Sequence, residues 1–221
     1  MKALAAVPLF EFLDHKSIPI DLMVGCSGGS IMSALRGIGC GTQEIIDFFK
    51  GVERFKPFTH MDYRALLGLA KLPFGKFDMR SGLLRPQKYR SILKETFGDT
   101  RIEDLQPKVL FQATDVSTGE GVILDKGLVC DALYASSALF PLLPPLEFNG
   151  RWLSDGYYTS PLPVSEAVKH DMDVIIAVTF FDPIDMRADS YAACISNYYT
   201  IQGDATTRYQ MALSIDMHTH E

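Results

Sequence analysis

The segment Gly25-Cys26-Ser27-Gly28-Gly29 constrains this chain more than any other stretch of it. It reads as G-x-S-x-G, set between an apolar run at residues 18–24 and a helix-forming run that opens Ser30-Ile31-Met32-Ser33-Ala34-Leu35. That spacing puts a serine on a tight strand-to-helix turn, with its hydroxyl at the sheet edge and at a helix N-terminus. Gly25, Gly28 and Gly29 tolerate the unusual backbone and let strand and helix approach closely. The motif asks for an α/β architecture and makes Ser27 a candidate nucleophile. A simple turn is the alternative reading.

The rest of the chain is consistent with such a fold. Its 221 residues are 47% apolar and 22% charged, enough to bury one sizeable core, so a single domain over 1–221 is expected. A net charge of -6 argues against a nucleic-acid partner, which would call for a basic face. The charge leaves room for peripheral contact with a membrane through a local patch. Cys26, Cys40, Cys130 and Cys194 follow no metal or C-x-x-C spacing, and fit reduced thiols in a cytoplasmic protein. Near the N-terminus, Glu11 and Asp14 interrupt what would otherwise imitate a signal peptide, and Leu9, Phe10 and Leu13 recur at helical spacing. No run approaches the ~20 apolar residues of a membrane span.

Read along its length, the chain alternates helices and apolar strands. Helices are predicted over residues 4–16, 28–36, 42–50 with Thr42 as N-cap, 86–97 with Pro86 in the first turn, and 163–170. Strands are predicted over 18–24, 107–113, 121–124 and 173–181, the last a central strand of parallel type. Asn149-Gly150 folds residues 146–153 into a hairpin. Residues 51–85, rich in Phe, Leu, Pro and Gly, are the least regular and suggest a lid or insertion; 182–221 form a C-terminal part of undefined structure. The expectation is a three-layer α/β sandwich with a mostly parallel central sheet.

A serine nucleophile needs a base. His15 precedes the elbow strand, at the wrong end of the sheet. If residues 173–181 run parallel to that strand, His170 lies on the order of 20 Å away. His60 falls in the irregular segment, and His218 and His220 in the tail; one of these three would be needed for a Ser-His-Asp site. Asp115, Asp155 and Asp182 each end a predicted strand, where side chains converge in open α/β sheets. Asp155, followed by Gly156, could take the serine proton directly if burial raised its basicity. Cys26 should point away from the elbow apex. No metal cluster, phosphate loop or dinucleotide motif is present, so neither cofactor nor metal is expected.

Four pieces in order resemble the patatin-like phospholipases: residues 18–30 with the elbow, Ala113-Thr114-Asp115-Val116-Ser117-Thr118-Gly119-Glu120, Ala135-Ser136-Ser137-Ala138 with Phe140-Pro141, and Asp155-Gly156 followed by Pro161-Leu162-Pro163-Val164. The resemblance covers residues 2–181. It implies a lipid acyl hydrolase working through an acyl-enzyme, with Ser27 as nucleophile, Asp155 as base and Gly156 in the dyad turn. Tyr157 departs from the Gly or Ala that usually follows that turn. The family begins with a strand and a Gly-rich loop ending in Arg-Gly, and the loop's backbone N–H groups form the oxyanion hole. Lys2-Ala3-Leu4 falls where that loop should end, so the first strand is expected to be missing and Gly28 N–H to be the remaining donor. An impaired domain that binds lipid or a protein partner is the alternative implication.

Overall fold

In the computed structural model, which describes residues 2–55, 60–181 and 183–218, a 3-10 turn leads into helix α1 (Val7–His15). Val7, Phe10 and Leu13, spaced three apart, form its buried face. Strand β1 (Leu22–Cys26) starts later than the apolar run suggested. Ser17 turns the chain at φ 53°, and Pro19 has no N–H to give to a ladder. Ser27 then opens helix α2 (Gly28–Gly37). Helix α3 (Thr42–Phe55) begins on Thr42, so the cap lies one residue earlier than expected. Glu44 reaches back to accept from Gly41 N–H at 2.8 Å, while the Gly41 carbonyl accepts from Ile45.

Helix α3 thus runs five residues into the segment expected to be irregular, and helix α4 (Tyr63–Leu69), capped by Asp62, gives that segment a further ordered element. Helix α5 (Gln87–Phe97) follows directly on Pro86, whose fixed φ of -78° suits a helix start. Strand β2 (Lys108–Asp115) and strand β3 (Gly121–Leu124) form a hairpin, and helix α6 (Val129–Ser137) follows. Strands β4 (Leu146–Phe148) and β5 (Arg151–Asp155) make the second hairpin. Its turn residues Asn149 and Gly150 sit at φ 49° and 78°, the left-handed pair that an Asn-Gly turn demands. Short helix α7 (Val164–Val168) and long helix α8 (Tyr191–His218) complete the described chain.

The class is α/β, and the sheet is mixed. β1 runs parallel to β2, whereas β3 and β5 are antiparallel to it and β4 extends β5. β2 lies at the centre because both its faces are buried. Val109, Phe111 and Ala113 join the main core with Leu35 of α2 and Leu133 of α6. On the opposite face Leu110, Gln112 and Thr114 are buried too. A strand covered on both sides favours an apolar run, which β2 shows at Val109-Leu110-Phe111 before Gln112 and Thr114 bring hydrogen-bonding groups to the site end.

The register places two strand ends face to face. Gly25 and Cys26 pair with Phe111 and Gln112, which on their other side pair with Leu124 and Ile123. Asp155 and Ser154 pair with Ala113 and Thr114, whose other partners are Val122 and Gly121. β3 therefore holds one edge of β2, and β1 and β5 share the other. β1 runs up that edge, β5 runs down it, and they stop at the adjacent residues Gln112 and Ala113.

Residues 173–181 were expected to be a central strand, and here the structure differs. The segment has no regular secondary structure and pairs with no described strand. Val174 is 77% exposed and Ile176 56%. With its apolar side chains in water, the segment lacks the packing that would hold it in a sheet. Composition supplies the propensity, and only tertiary contacts turn it into a strand.

Candidate active site

The elbow is built by close backbone approach. Ser27 is held at φ 51° and ψ -119°, a conformation that costs a non-glycine residue about 1–3 kcal/mol. A Cβ on Gly25 would lie 2.5 Å from the Ser30 Cα and 2.7 Å from the Gly29 carbonyl oxygen, so no larger residue fits beneath the turn. Three hydrogen bonds hold the conformation. Ser27 N–H donates to Ser136 Oγ at 3.1 Å, and Ser136 Oγ–H in turn donates to the Gln112 carbonyl at 2.7 Å. Ser30 Oγ–H donates to the Ser27 carbonyl at 2.5 Å. Ser27 is thereby tied to β2 at the residue where β1 ends.

From the opposing strand end, Asp155 meets it. Ser27 Oγ–H donates to Asp155 Oδ2 at 2.8 Å. Asp155 Oδ1 accepts from Tyr157 N–H at 2.9 Å, and the Asp155 main chain is fixed by Ala138 and Thr114. Only 2% of the residue is exposed. Burial drives its pKa up to about 7, against the opposing pull of the Tyr157 and Ser27 hydrogen bonds. A Cβ on Gly156 would lie 2.4 Å from the Gln112 carbonyl oxygen, so the turn after Asp155 also needs glycine.

Tyr157 links this corner to α8. Its hydroxyl donates to the Tyr199 carbonyl at 2.8 Å, and its ring lies so close to Gly203 that a Cβ there would overlap it. Gln210 holds the same loop through Leu162 N–H at 3.0 Å and Ser160 Oγ at 2.7 Å.

A model of the family described as patatin-like phospholipase matches residues 1–168. The chain belongs to the patatin-like phospholipase family. Curated relatives include Lysophospholipase NTE1 of Saccharomyces cerevisiae and of Candida albicans. Each is 27% identical over 200 residues, covering 90% of this chain and 11% and 14% of the relative. The enzyme of the same name from Meyerozyma guilliermondii is 29% identical over 189 residues, 86% of this chain and 12% of its own length. The chain thus spans less than a sixth of these relatives.

Within this patatin-like corner the other candidates fall elsewhere. Asp115 turns the β2–β3 hairpin, where its Oδ1 accepts from Ser117 N–H at 2.8 Å. His15 ends α1, and His170 Nε2 lies 3.6 Å from Glu166 Oε1. The His60 carbonyl accepts from Arg85 N–H. Asp182, His220 and the side chain of His218 lie outside the described residues. Burial first, and the Asp155 carboxylate second, push the Cys26 thiol well up, which keeps it from serving as a thiolate. Gly28 and Gly29 start α2, and their N–H groups precede the first intrahelical acceptors. No group of three or more His, Cys, Asp or Glu among the described residues is arranged to hold a metal.

Ser136 and Tyr157 hold the corner without having stood out as site residues in the sequence. Ser136 sits in the small-residue run that resembles the family, but nothing in that run says which residue bonds the elbow. Its role depends on α6 reaching the end of β1.

Proposed function

We propose that this chain is the catalytic domain of a lipid acyl ester hydrolase that works through a Ser27–Asp155 dyad. The observation that carries the reading is the 2.8 Å hydrogen bond from Ser27 Oγ to a buried carboxylate whose pKa is raised to about 7. A base is most effective when its pKa lies near the working pH, and an ordinary aspartate would be too weak.

In this mechanism Ser27 Oγ attacks the ester carbonyl carbon as its proton passes to Asp155 Oδ2. Collapse of the tetrahedral intermediate breaks the bond to the alcohol, which leaves with that proton. The acyl group stays on Ser27. Water then attacks the acyl carbonyl, Asp155 takes a proton from it, and the proton returns to Ser27 as the fatty acid departs. The N–H of Gly28, next to the nucleophile, donates to the developing oxyanion. The left-handed backbone at Ser27 fixes its hydroxyl before substrate arrives.

The relatives' name suggests a monoacyl phospholipid as substrate. Family membership makes a lipid the broader expectation, met by a cytoplasmic domain at a membrane surface. Among the described residues no helix is long and apolar enough to cross a membrane. Residues 1–221 act as one domain in this reading, with residues 60–85 as its lid or insertion. A fluorophosphonate probe should label the folded chain at Ser27 and leave Ser27→Ala unlabelled. Absence of labelling in folded protein would sink the proposal.

A further inference from the structure

Residues 60–85 form a protrusion that is compact inside and apolar outside. Asp62 N–H bonds Leu83, Arg85 N–H bonds His60, and Lys76 N–H bonds the Arg64 carbonyl at 3.0 Å. Gly68 and Gly75 let the helix and the returning chain touch: a Cβ on either would meet backbone within 2.4 Å. The base is tied to the corner described above. Leu83 and Leu84 N–H groups donate to the Pro141 and Leu142 carbonyls at 2.8 and 2.9 Å, and Phe140 receives the Tyr158 hydroxyl at 2.9 Å.

On this scaffold several large apolar side chains point outward. Tyr63 is 68% exposed, Leu69 54%, Leu72 51%, Met79 66% and Phe74 92%. Phe74 is also held at φ 64°, where glycine would be unstrained. A bulky ring that is both strained and in water gains nothing from folding. Its position makes sense where another phase buries it.

The charges indicate which phase. Residues 61–80 carry Arg64, Lys71, Lys76 and Arg80 against Asp62 and Asp78, a balance of +2 in a chain of -6. Both carboxylates are engaged locally, Asp62 by the cap of α4 and Asp78 by Arg80 N–H, Ser81 and Lys76. Arg64 and Lys71 make no ion pair with any described residue. Apolar tips interleaved with cations match an anionic lipid surface, where acyl chains take the rings and headgroups take the ammonium and guanidinium groups.

We infer that residues 61–80 dock this domain on anionic phospholipid membranes, with Phe74 as the inserted tip. The inference builds on the lipid-hydrolase reading by naming the face that meets the lipid. Sedimentation of the chain with phosphatidylcholine vesicles, with and without phosphatidylserine, tests it. The parent should partition more strongly onto the phosphatidylserine vesicles and be released by salt. Phe74→Ser should lower partition about tenfold or more on both vesicles. Lys71→Glu should lower it about fivefold or more where phosphatidylserine is present, and little without it.

Phe74→Gly removes the ring and the strain together, so it should lose binding while its unfolding midpoint stays level or rises. Folding failure therefore cannot imitate the result. Ser27→Ala should bind vesicles as the parent does, which separates docking from the dyad. Equal partition of the parent and Phe74→Ser would overturn the inference. So would a concentration-dependent dimer that Phe74→Ser dissociates in protein that ignores vesicles, since the face would then belong to a second copy.

Discussion

Ser27 and Phe74 are both non-glycine residues held in left-handed backbone, at φ 51° and 64°, and both stand beside glycines that admit close main-chain contact. Their surroundings are opposite. Ser27 faces Asp155 and Ser136 through hydrogen bonds at 2.8 and 3.1 Å, in a corner where the aspartate is 2% exposed. Phe74 is 92% exposed. In the corner, strain is offset within the chain and fixes a hydroxyl against a carboxylate. On the protrusion nothing in the chain offsets it. The contrast teaches that the same backbone device can be set in opposite surroundings, and on the readings proposed above it serves inward chemistry in one region and outward contact in the other.

The largest effects should come from the corner. Ser27→Ala should lower kcat/KM for a lipid ester about 10⁴-fold or more while circular dichroism stays unchanged. A smaller loss would show that the inward strain does not serve a nucleophile.

Asp155→Asn should be comparably inactive, yet more stable than the parent at pH 8. The folded pKa of about 7 lies above the ordinary carboxylate value, so the folded state holds the proton more tightly. Its contribution is present below the unfolded pKa and is lost as pH rises to about 7. Removing the carboxylate should recover about 2–4 kcal/mol above that pH, read from denaturant midpoints across the range. In the parent, kcat/KM should rise through pH 7 as the base ionises. A rise centred near pH 4 would contradict the burial argument.

Gly156→Ala puts a methyl group against the Gln112 carbonyl, and about 1–3 kcal/mol of stability should go with it. Gly203→Ala tests the corner from outside. It should displace the Tyr157 ring and loosen the N–H donated to Asp155, lowering kcat more than it raises KM and moving the pH midpoint up. A change in stability with an unmoved pH profile would make the α8 contact purely structural. Phe74→Gly should have the smallest effect on stability, a gain of about 0.5–1 kcal/mol in urea, because it relieves strain but frees the unfolded chain.

Much of the fold was legible because its signals are short. The Asn149-Gly150 turn, the glycines around Ser27 and the alternation of apolar strands with helices each express steric limits within a few residues. Residues 173–181 show where that legibility ends. They are more apolar than β2, yet β2 is paired along both edges and they pair with no described strand, a difference that composition does not announce.

By itself the sequence determined the α/β class, the strand-to-helix turn at Ser27 and the need for glycine at position 25. These depend on allowed backbone angles and on atoms a few bonds apart. Only the tertiary structure decided that β1 and β5 end face to face on one edge of β2, bringing together side chains 128 positions apart. It also decided that Asp155 meets Ser27 while Asp115, buried too, only shapes a turn, that Ser136 steadies the elbow, and that Phe74 stands in water. Desolvation and contact are properties of what surrounds a residue, and the surroundings come from distant parts of the chain.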